Sequence, residues 1–377
     1  MKLLFVTDNG FSSKGKDFYY SGANTQHYSV VTKYFEEVVF IARNSEYESS
    51  SSKISSQYRT YLVESITSGR NFTKNYLEIN KIIESEVKDA DAVMCFGLNG
   101  YLAYKKAKKY NKPTIAFIGG CVYEILKNMD SLIKRSMAPI MRNMIKEMAR
   151  DSDFVHYVDN FLYDRYPTAN KYLICSDAAI EIDEKVIDLR VKKIQSKSNE
   201  DNITIGIIGY THNKIKGIDT AIRAISLLGD KYQLQVVGRG NHEWLDKLAD
   251  ELKVSDRIEF LGILNGRKEV FNWLDSIDIY IQPSLTEGMP RATLEAMSRA
   301  CPVVSTSVGG LKTIVDEEYR IVVGDYHGLA NKIRYITSCK ENLHANAINN
   351  FNTAKRFDVS ILDDNRNKFY KQIKESL

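Results

Sequence analysis

Glu287 and Glu295 stand with seven residues between them in the run Ser284-Leu285-Thr286-Glu287-Gly288-Met289-Pro290-Arg291-Ala292-Thr293-Leu294-Glu295-Ala296-Met297. An apolar stretch, IDIYIQ, leads into this run, and ATLEAMSRA after Pro290 has the composition of a helix. The expected form is strand, tight loop, helix. Pro290 has a preset φ and no N–H, which suits the first position of a helix. The amides of the next turn have no intrahelical acceptor and carry partial positive charge, so that end seats an anion such as a phosphate. Carboxylates on either side can then accept hydrogen bonds from hydroxyl-bearing groups flanking the anion.

A nucleotide sugar has that layout, with a ribose and a hexose on the two sides of a diphosphate. Two glutamates at this spacing also fit an ordinary surface loop, so the neighbouring segments decide. Ile208-Gly209-Tyr210-Thr211-His212-Asn213-Lys214-Ile215-Lys216-Gly217 follows another apolar strand and precedes a helix. Lys216 at the loop exit can aim a point charge at a diphosphate. Val236-Val237-Gly238-Arg239-Gly240 places glycines at a strand end, where a ligand or another backbone can approach closely.

Taken in order, these segments resemble the C-terminal half of the retaining GT-B glycosyltransferases, specifically glycosyltransferase family 4 (glycosyl transferases group 1). The motifs are GYTHNKIKG at 209–217, VVGRG at 236–240, FLG at 260–262, EGMPRATLEAM at 287–297 and CPVVSTSVGG at 301–310. In the first half, Gly22-Ala23-Asn24-Thr25-Gln26-His27 resembles the family's glycine-containing loop, and MARDSDFVHYVDNFLYDRY at 148–166 its helix-then-strand signature. The resemblance covers essentially the whole chain, more faintly in the N-terminal half.

The resemblance implies an α/β GT-B fold, two Rossmann-like parallel-sheet domains facing a cleft. It implies transfer of a hexose or N-acetylhexosamine from a nucleotide diphosphate sugar to an acceptor hydroxyl, with retention and with no metal or other cofactor. Carried over residue by residue, Glu295 accepts from the ribose hydroxyls, Glu287 contacts the donor hexose, and Lys216 neutralises the leaving diphosphate. Backbone around Gly288, Met289, Pro290, Arg291, Ala292 and Thr293 holds sugar and phosphates, with Gly209 and Arg239 in the same donor-binding set. Gly22 lets the N-terminal loop approach the diphosphate. Two departures stand out. Tyr210 occupies the position six before Lys216 where relatives often carry Arg, with Lys214 or Arg291 as substitute cations. Phe117-Ile118-Gly119-Gly120-Cys121 replaces a stretch where many relatives carry a histidine, which shifts any contact there to the backbone of Gly119 and Gly120.

Around these loops, short β-branched runs alternate with longer amphipathic stretches, the pattern of parallel strands joined by helical crossovers. Strands are expected over 3–7, 38–42, 92–96, 114–118, 154–158 and 172–175, with a first helix over 22–35. Residues 190–202, RVKKIQSKSNEDN, show no apolar period and read as a linker. Alternation resumes with strands over 203–208, 234–237, 258–260, 277–282 and 303–306 and a helix over 218–228. The division is therefore an acceptor domain over 1–192 and a donor domain over 193–357. Residues 358–377 carry Ile361, Phe369, Tyr370 and Ile373 on an amphipathic helix that, by the resemblance, crosses back onto the first domain.

Composition agrees with this division. The 377 residues suffice for about two domains at roughly 150 each. A surplus of 52 − 48 = +4 charges is too small to imply a nucleic-acid binder. The five cysteines are odd in number and contain no C-x-x-C pair, as expected of reduced cysteines in a cytoplasmic protein. Asp89-Ala90-Asp91 and Asp151-Ser152-Asp153 match the metal-binding Asp-x-Asp of the GT-A class in letters, but each precedes a strand. Charged pre-strand loops are the expectation. No G-x-G-x-x-G follows the first strand, and the six histidines show no zinc spacing.

Residues 131–150, SLIKRSMAPIMRNMIKEMAR, combine basic and apolar positions. They fit a helix packed on the sheet with its basic face in water, or one that makes peripheral contact with an anionic membrane at its inner face. The expected partners are a nucleotide-sugar donor and a glycan or lipid-linked acceptor, in bacterial cell-surface polysaccharide or lipid-linked oligosaccharide synthesis. The alternatives are a transferase making a small soluble glycoside and a catalytically degenerate scaffold that binds carbohydrate.

Overall fold

The computed structural model describes residues 1–20, 31–46, 52–54, 57–64, 72–127, 129, 131–198 and 200–377. Gly22, its loop and most of the helix expected over 22–35 lie outside them. The chain divides into two units, Met1–Asp177 with Leu362–Leu377, and Ala178–Ile361.

The first unit contains β1 (Lys2–Lys14), β2 (Asp17–Tyr20), β3 (Glu37–Asn44), β4 (Ser52–Lys53), β5 (Arg59–Val63), β6 (Ala92–Cys95), β7 (Thr114–Ile118), β8 (Phe154–Tyr157) and β9 (Lys171–Ile174). Seven of these run parallel in the order β5-β3-β1-β6-β7-β8-β9. β6, β7 and β8 are buried along their whole length, as near-continuous apolar strands covered on both faces should be. β1 does not stop at Thr7. Its register against β3 shifts between Thr7 and Gly10, and it then returns through Gly15 (φ +65°) to pair antiparallel with β2.

The second unit contains β10 (Ile203–Ile208), β11 (Tyr232–Val237), β12 (Ile258–Gly262), β13 (Ile279–Gln282), β14 (Val303–Thr306) and β15 (Arg320–Ile321). All six run parallel in the order β12-β11-β10-β13-β14-β15, the doubly wound arrangement. Both units are thus Rossmann-like parallel sheets.

Pre-strand aspartates repeat one device in both. Asp91 accepts from the Lys2 amide at 2.7 Å, Asp153 from the Thr114 amide at 2.8 Å, and Asp278 from the Thr204 amide at 2.8 Å. Each carboxylate satisfies an amide in the first two residues of the neighbouring strand. Asp89 pairs with Lys2 and Asp151 with Arg150, so both Asp-x-Asp runs are occupied structurally.

The first part of the expected linker, 190–196, is instead the end of the helix Lys185–Ser196, which belongs to the second unit. Val186, Arg190 and Ile194 are buried four residues apart on one face. The arginine in the middle conceals that period. Its guanidinium is satisfied by the carbonyls of Leu274 and Ile277, each at 2.7 Å, and of Arg299. The chain crosses between units at 177/178 and returns at 361/362, so the boundary falls earlier than the polar stretch suggests.

The C-terminal helix Val359–Ser376 contributes Leu362, Arg366, Phe369, Tyr370 and Ile373 as buried residues, and its part from Leu362 onward lies in the first unit. Ile361, expected inside, is exposed, and Leu362 takes its place. Arg366 is buried against Asp363 at 2.8 Å and the Ser176 carbonyl. His156 on β8 meets the same helix. Its Nε2 lies 2.9 Å from the Cys175 carbonyl and must donate, so Nδ1 accepts from the Tyr370 hydroxyl at 2.9 Å. That bonding suits the neutral ring, and full burial pushes its pKa down to about 3.

The unfolded histidine takes a proton near pH 6.5 and the folded one only near 3, so stability is full above 6.5 and falls as pH drops. In urea unfolding at pH 7 and pH 5, His156→Gln should be the less stable protein at pH 7. Its further loss on acidification should be smaller than the wild type's by roughly 2 kcal/mol. Equal losses would show that this histidine titrates normally.

Candidate functional site

Strand order in the second unit reverses between β10 and β13, and in open α/β sheets such a point is where ligands bind, beyond the carboxyl ends of the strands. The loops leaving those two strands are joined there, since the Leu285 amide donates to the Ile215 carbonyl at 2.8 Å. Gly217 makes this contact possible. It adopts φ +69°, and a Cβ on it would lie 2.0 Å from the Pro283 carbonyl oxygen. Gly209 makes room for the Lys216 stem, because a Cβ on it would fall 2.7 Å from that lysine's Cβ and Cγ.

Lys216 Nζ reaches Glu287 Oε1 at 2.7 Å, and the Ser284 hydroxyl donates to the same oxygen at 2.7 Å. Behind them runs a buried chain in which Gln282 Nε2 donates to Ser284 Oγ at 2.8 Å and the Tyr280 hydroxyl donates to Gln282 Oε1 at 2.6 Å. Burial, reinforced by the Glu287 and Glu295 carboxylates, holds the Tyr280 phenol well above its ordinary pKa, so it remains a donor. The chain fixes one end of Glu287 while its side chain is only 8% exposed.

The loop after β14 presses on the same residue. Gly309 adopts φ +45°, with its Cβ position 1.9 Å from the Glu287 carbonyl oxygen, and the Gly310 amide donates to the Gly288 carbonyl at 3.0 Å. The glycine pair of CPVVSTSVGG therefore serves close backbone approach.

The helix starts one residue later than expected, at Arg291 and running to Ser298, with Pro290 as its N-cap, and among the described residues no side-chain acceptor caps its first turn. Arg291 Nε lies 3.0 Å from Glu295 Oε1. Thr293, expected among the donor-binding residues, is fully buried, backbone included, so in this structure it presents no atom to a ligand. At the matching switch point of the first unit the helix Gly97–Lys109 is already capped by Asp8, which accepts from the Leu98 amide and from the Asn99 amide at 3.1 Å. The helix end is thus filled by a carboxylate in one unit, and among the described residues no side chain fills it in the other.

Three predicted cations take definite places. Arg239 lies over the Tyr210 ring at 5.2 Å, at the position where the resemblance expects an arginine. Lys214 lies over Trp244 at 5.8 Å and Arg291 is engaged with Glu295, so Arg239 is the cation that stands beside Tyr210. Sequence reasoning missed Tyr280, Gln282 and Ser284 as site residues. Their signal was present as polar residues at every second position of an otherwise apolar strand. Among the described residues no cluster of three or more His, Cys, Asp or Glu is placed to hold a metal ion. Gly22 lies outside the described residues.

Comparison with known proteins points the same way. Residues 202–338 match the family described as glycosyl transferases group 1. Protein CapJ of Staphylococcus aureus is 26% identical, over 98% of this chain and 94% of its own length. The UDP-Gal:alpha-D-GlcNAc-diphosphoundecaprenol alpha-1,3-galactosyltransferase of Escherichia coli is 32% identical over 26% of this chain and 28% of its own. The crystal structure of Anabaena HepE with UDP-glucose superposes with a TM-score of 0.69 at 15% identity, covering 100% of both chains, and this likeness shows the GT-B fold.

Gly217→Ala tests the junction of the two loops. The left-handed backbone alone should cost about 1–2 kcal/mol, and the clash with Pro283 adds to it. Thermal unfolding should show a clearly lower midpoint, whereas Gly229→Ala, with open space around its Cβ position, should melt like the wild type. Equal midpoints for the two variants would mean the loops do not meet this tightly.

Proposed function

We propose that this group 1 glycosyltransferase of GT-B fold is a retaining enzyme that moves a hexose or N-acetylhexosamine from a nucleotide diphosphate sugar to an acceptor hydroxyl. We place the reaction on the cytoplasmic side, in the synthesis of a bacterial cell-surface polysaccharide or lipid-linked oligosaccharide. The observation that carries this reading is the Lys216–Glu287 pair, anchored through Ser284 in the loop that leads into the helix bearing Glu295. The UDP-glucose bound by HepE supports a nucleotide-sugar donor, and the diphosphoundecaprenol named for the Escherichia coli relative supports a lipid-linked acceptor.

In this scheme the diphosphate lies on the first amides of the helix Arg291–Ser298 and draws Lys216 away from Glu287. Ser284 still holds Glu287, whose carboxylate then accepts from a hexose hydroxyl. Glu295 accepts from the ribose. Arg239 supplies the second cation that Tyr210 does not. The bond between the anomeric carbon and the phosphate oxygen breaks, with its electron pair passing to the diphosphate. The acceptor oxygen bonds to the same face, and its proton goes to the departing phosphate oxygen. Side-chain cations and helix amides meet the developing charge, so the scheme needs no metal.

Lys216→Ala should lower kcat about 10²–10³-fold. Glu295→Ala should act mainly on KM, raising it roughly tenfold or more through lost charged hydrogen bonds. Both are read from nucleotide release across a panel of nucleotide sugars, and proton NMR of the product reports the anomer. Wild-type rates in both variants would remove the site assignment. An inverted product would remove retention, and failure of every nucleotide sugar to release nucleotide would favour a binding scaffold.

A further inference from the structure

The helix Leu132–Asp151 of the first unit is anchored by its second half, where Ile145, Met148 and Ala149 join the core. Its first half is different. Every residue from 132 to 137 is exposed, and the large apolar side chains are among them or close by: Leu132 is 77% exposed, Ile133 75%, Met137 37% and Ile140 61%. At 3.6 residues per turn these four share one arc of about 140°. Arg135, Arg142 and Lys146 line one edge of that arc, and Lys134 lies beyond the other. Residues 132–146 contain four basic and no acidic side chains.

A basic helix face elsewhere in this unit is built otherwise. Lys105 meets Glu147, Lys106 and Lys109 meet Glu84, and Lys108 meets Asp153, so that cluster is neutralised within the fold. Along 132–146, by contrast, Arg135 meets a carbonyl, that of Met129, and Arg142 meets the Tyr123 ring at 5.4 Å. An apolar ridge bordered by cations that meet no carboxylate among the described residues is complementary to a surface with an apolar interior under anionic headgroups. A water-facing role explains the lysines but not the exposed Leu132, Ile133 and Ile140.

We propose that this ridge is a docking surface for an anionic lipid bilayer, with Leu132, Ile133, Met137 and Ile140 entering the headgroup boundary and Lys134, Arg135, Arg142 and Lys146 meeting lipid phosphates. The proposal does not depend on the donor-site reading, because its test involves no sugar transfer.

The full chain is sedimented with vesicles of phosphatidylcholine alone and of phosphatidylcholine with phosphatidylglycerol. Binding should require phosphatidylglycerol and should weaken as salt is raised. Ile133→Ser with Ile140→Ser should reduce vesicle affinity roughly tenfold or more, and Arg135→Gln or Arg142→Gln about fivefold each. Because these side chains are exposed, the thermal midpoint should stay at the wild-type value, which separates lost docking from lost folding. Absence of wild-type binding, or unchanged binding in the folded variants, would overturn the proposal. A concentration-dependent dimer that disappears in Ile133→Ser would overturn it too, by making the ridge an interface between copies.

Discussion

Three loops of the second unit converge on Glu287. The loop after β10 brings Lys216 to its carboxylate, the segment after β13 brings Ser284 to the same oxygen, and the loop after β14 lays Gly309 against its carbonyl. Each approach needs a missing side chain or a polar residue set back in the strand. Gly209, Gly217 and Gly309 leave the space, while Tyr280, Gln282 and Ser284 form the buried chain that orients the acid. A carboxylate that is nearly buried is costly to desolvate, and its hydrogen bonds and the lysine offset that cost only in this geometry. The site is therefore a property of three loops acting together.

The two units use the same architecture to different ends. At its switch point the first unit fills a helix N-terminus with its own Asp8 carboxylate, whereas among the described residues no side chain caps the corresponding helix of the second, which begins behind Pro290. An anion from outside can bind only where no internal one already sits. Elsewhere, charges that look functional in the sequence are spent on the fold. Asp91, Asp153 and Asp278 satisfy strand amides, and the buried Arg190 and Arg366 tie helices to carbonyls at the edges of their units. His156 belongs with these, since both its nitrogens are committed to holding the C-terminal helix on the first sheet.

The local chemistry of the chain was enough to establish a good deal. Alternating β-branched and amphipathic runs specified parallel α/β units, and the spacing of Lys216, Glu287 and Glu295 around strand-loop-helix junctions pointed to an anion with hydroxyl groups on either side. Those signals are short in range, set by periodicity and by helix ends, so they survive without knowledge of the fold. What the tertiary structure alone decided was where polar groups are made neutral by distant partners. Arg190 broke the apolar period of 185–196 and made a packed helix read as a linker, because its acceptors lie more than 80 residues away. Ile361 and Leu362 differ by one position, and only packing selects which faces inward. The contact between Arg239 and Tyr210, and the pairing of Lys216 with Glu287, depend on strand order, which brings β10, β11 and β13 side by side from separate parts of the chain. Sequence thus determined the residue types and the elements that carry them, and the sheet's topology decided which of those residues meet, because contacts across strands are set by long-range packing that no local pattern encodes.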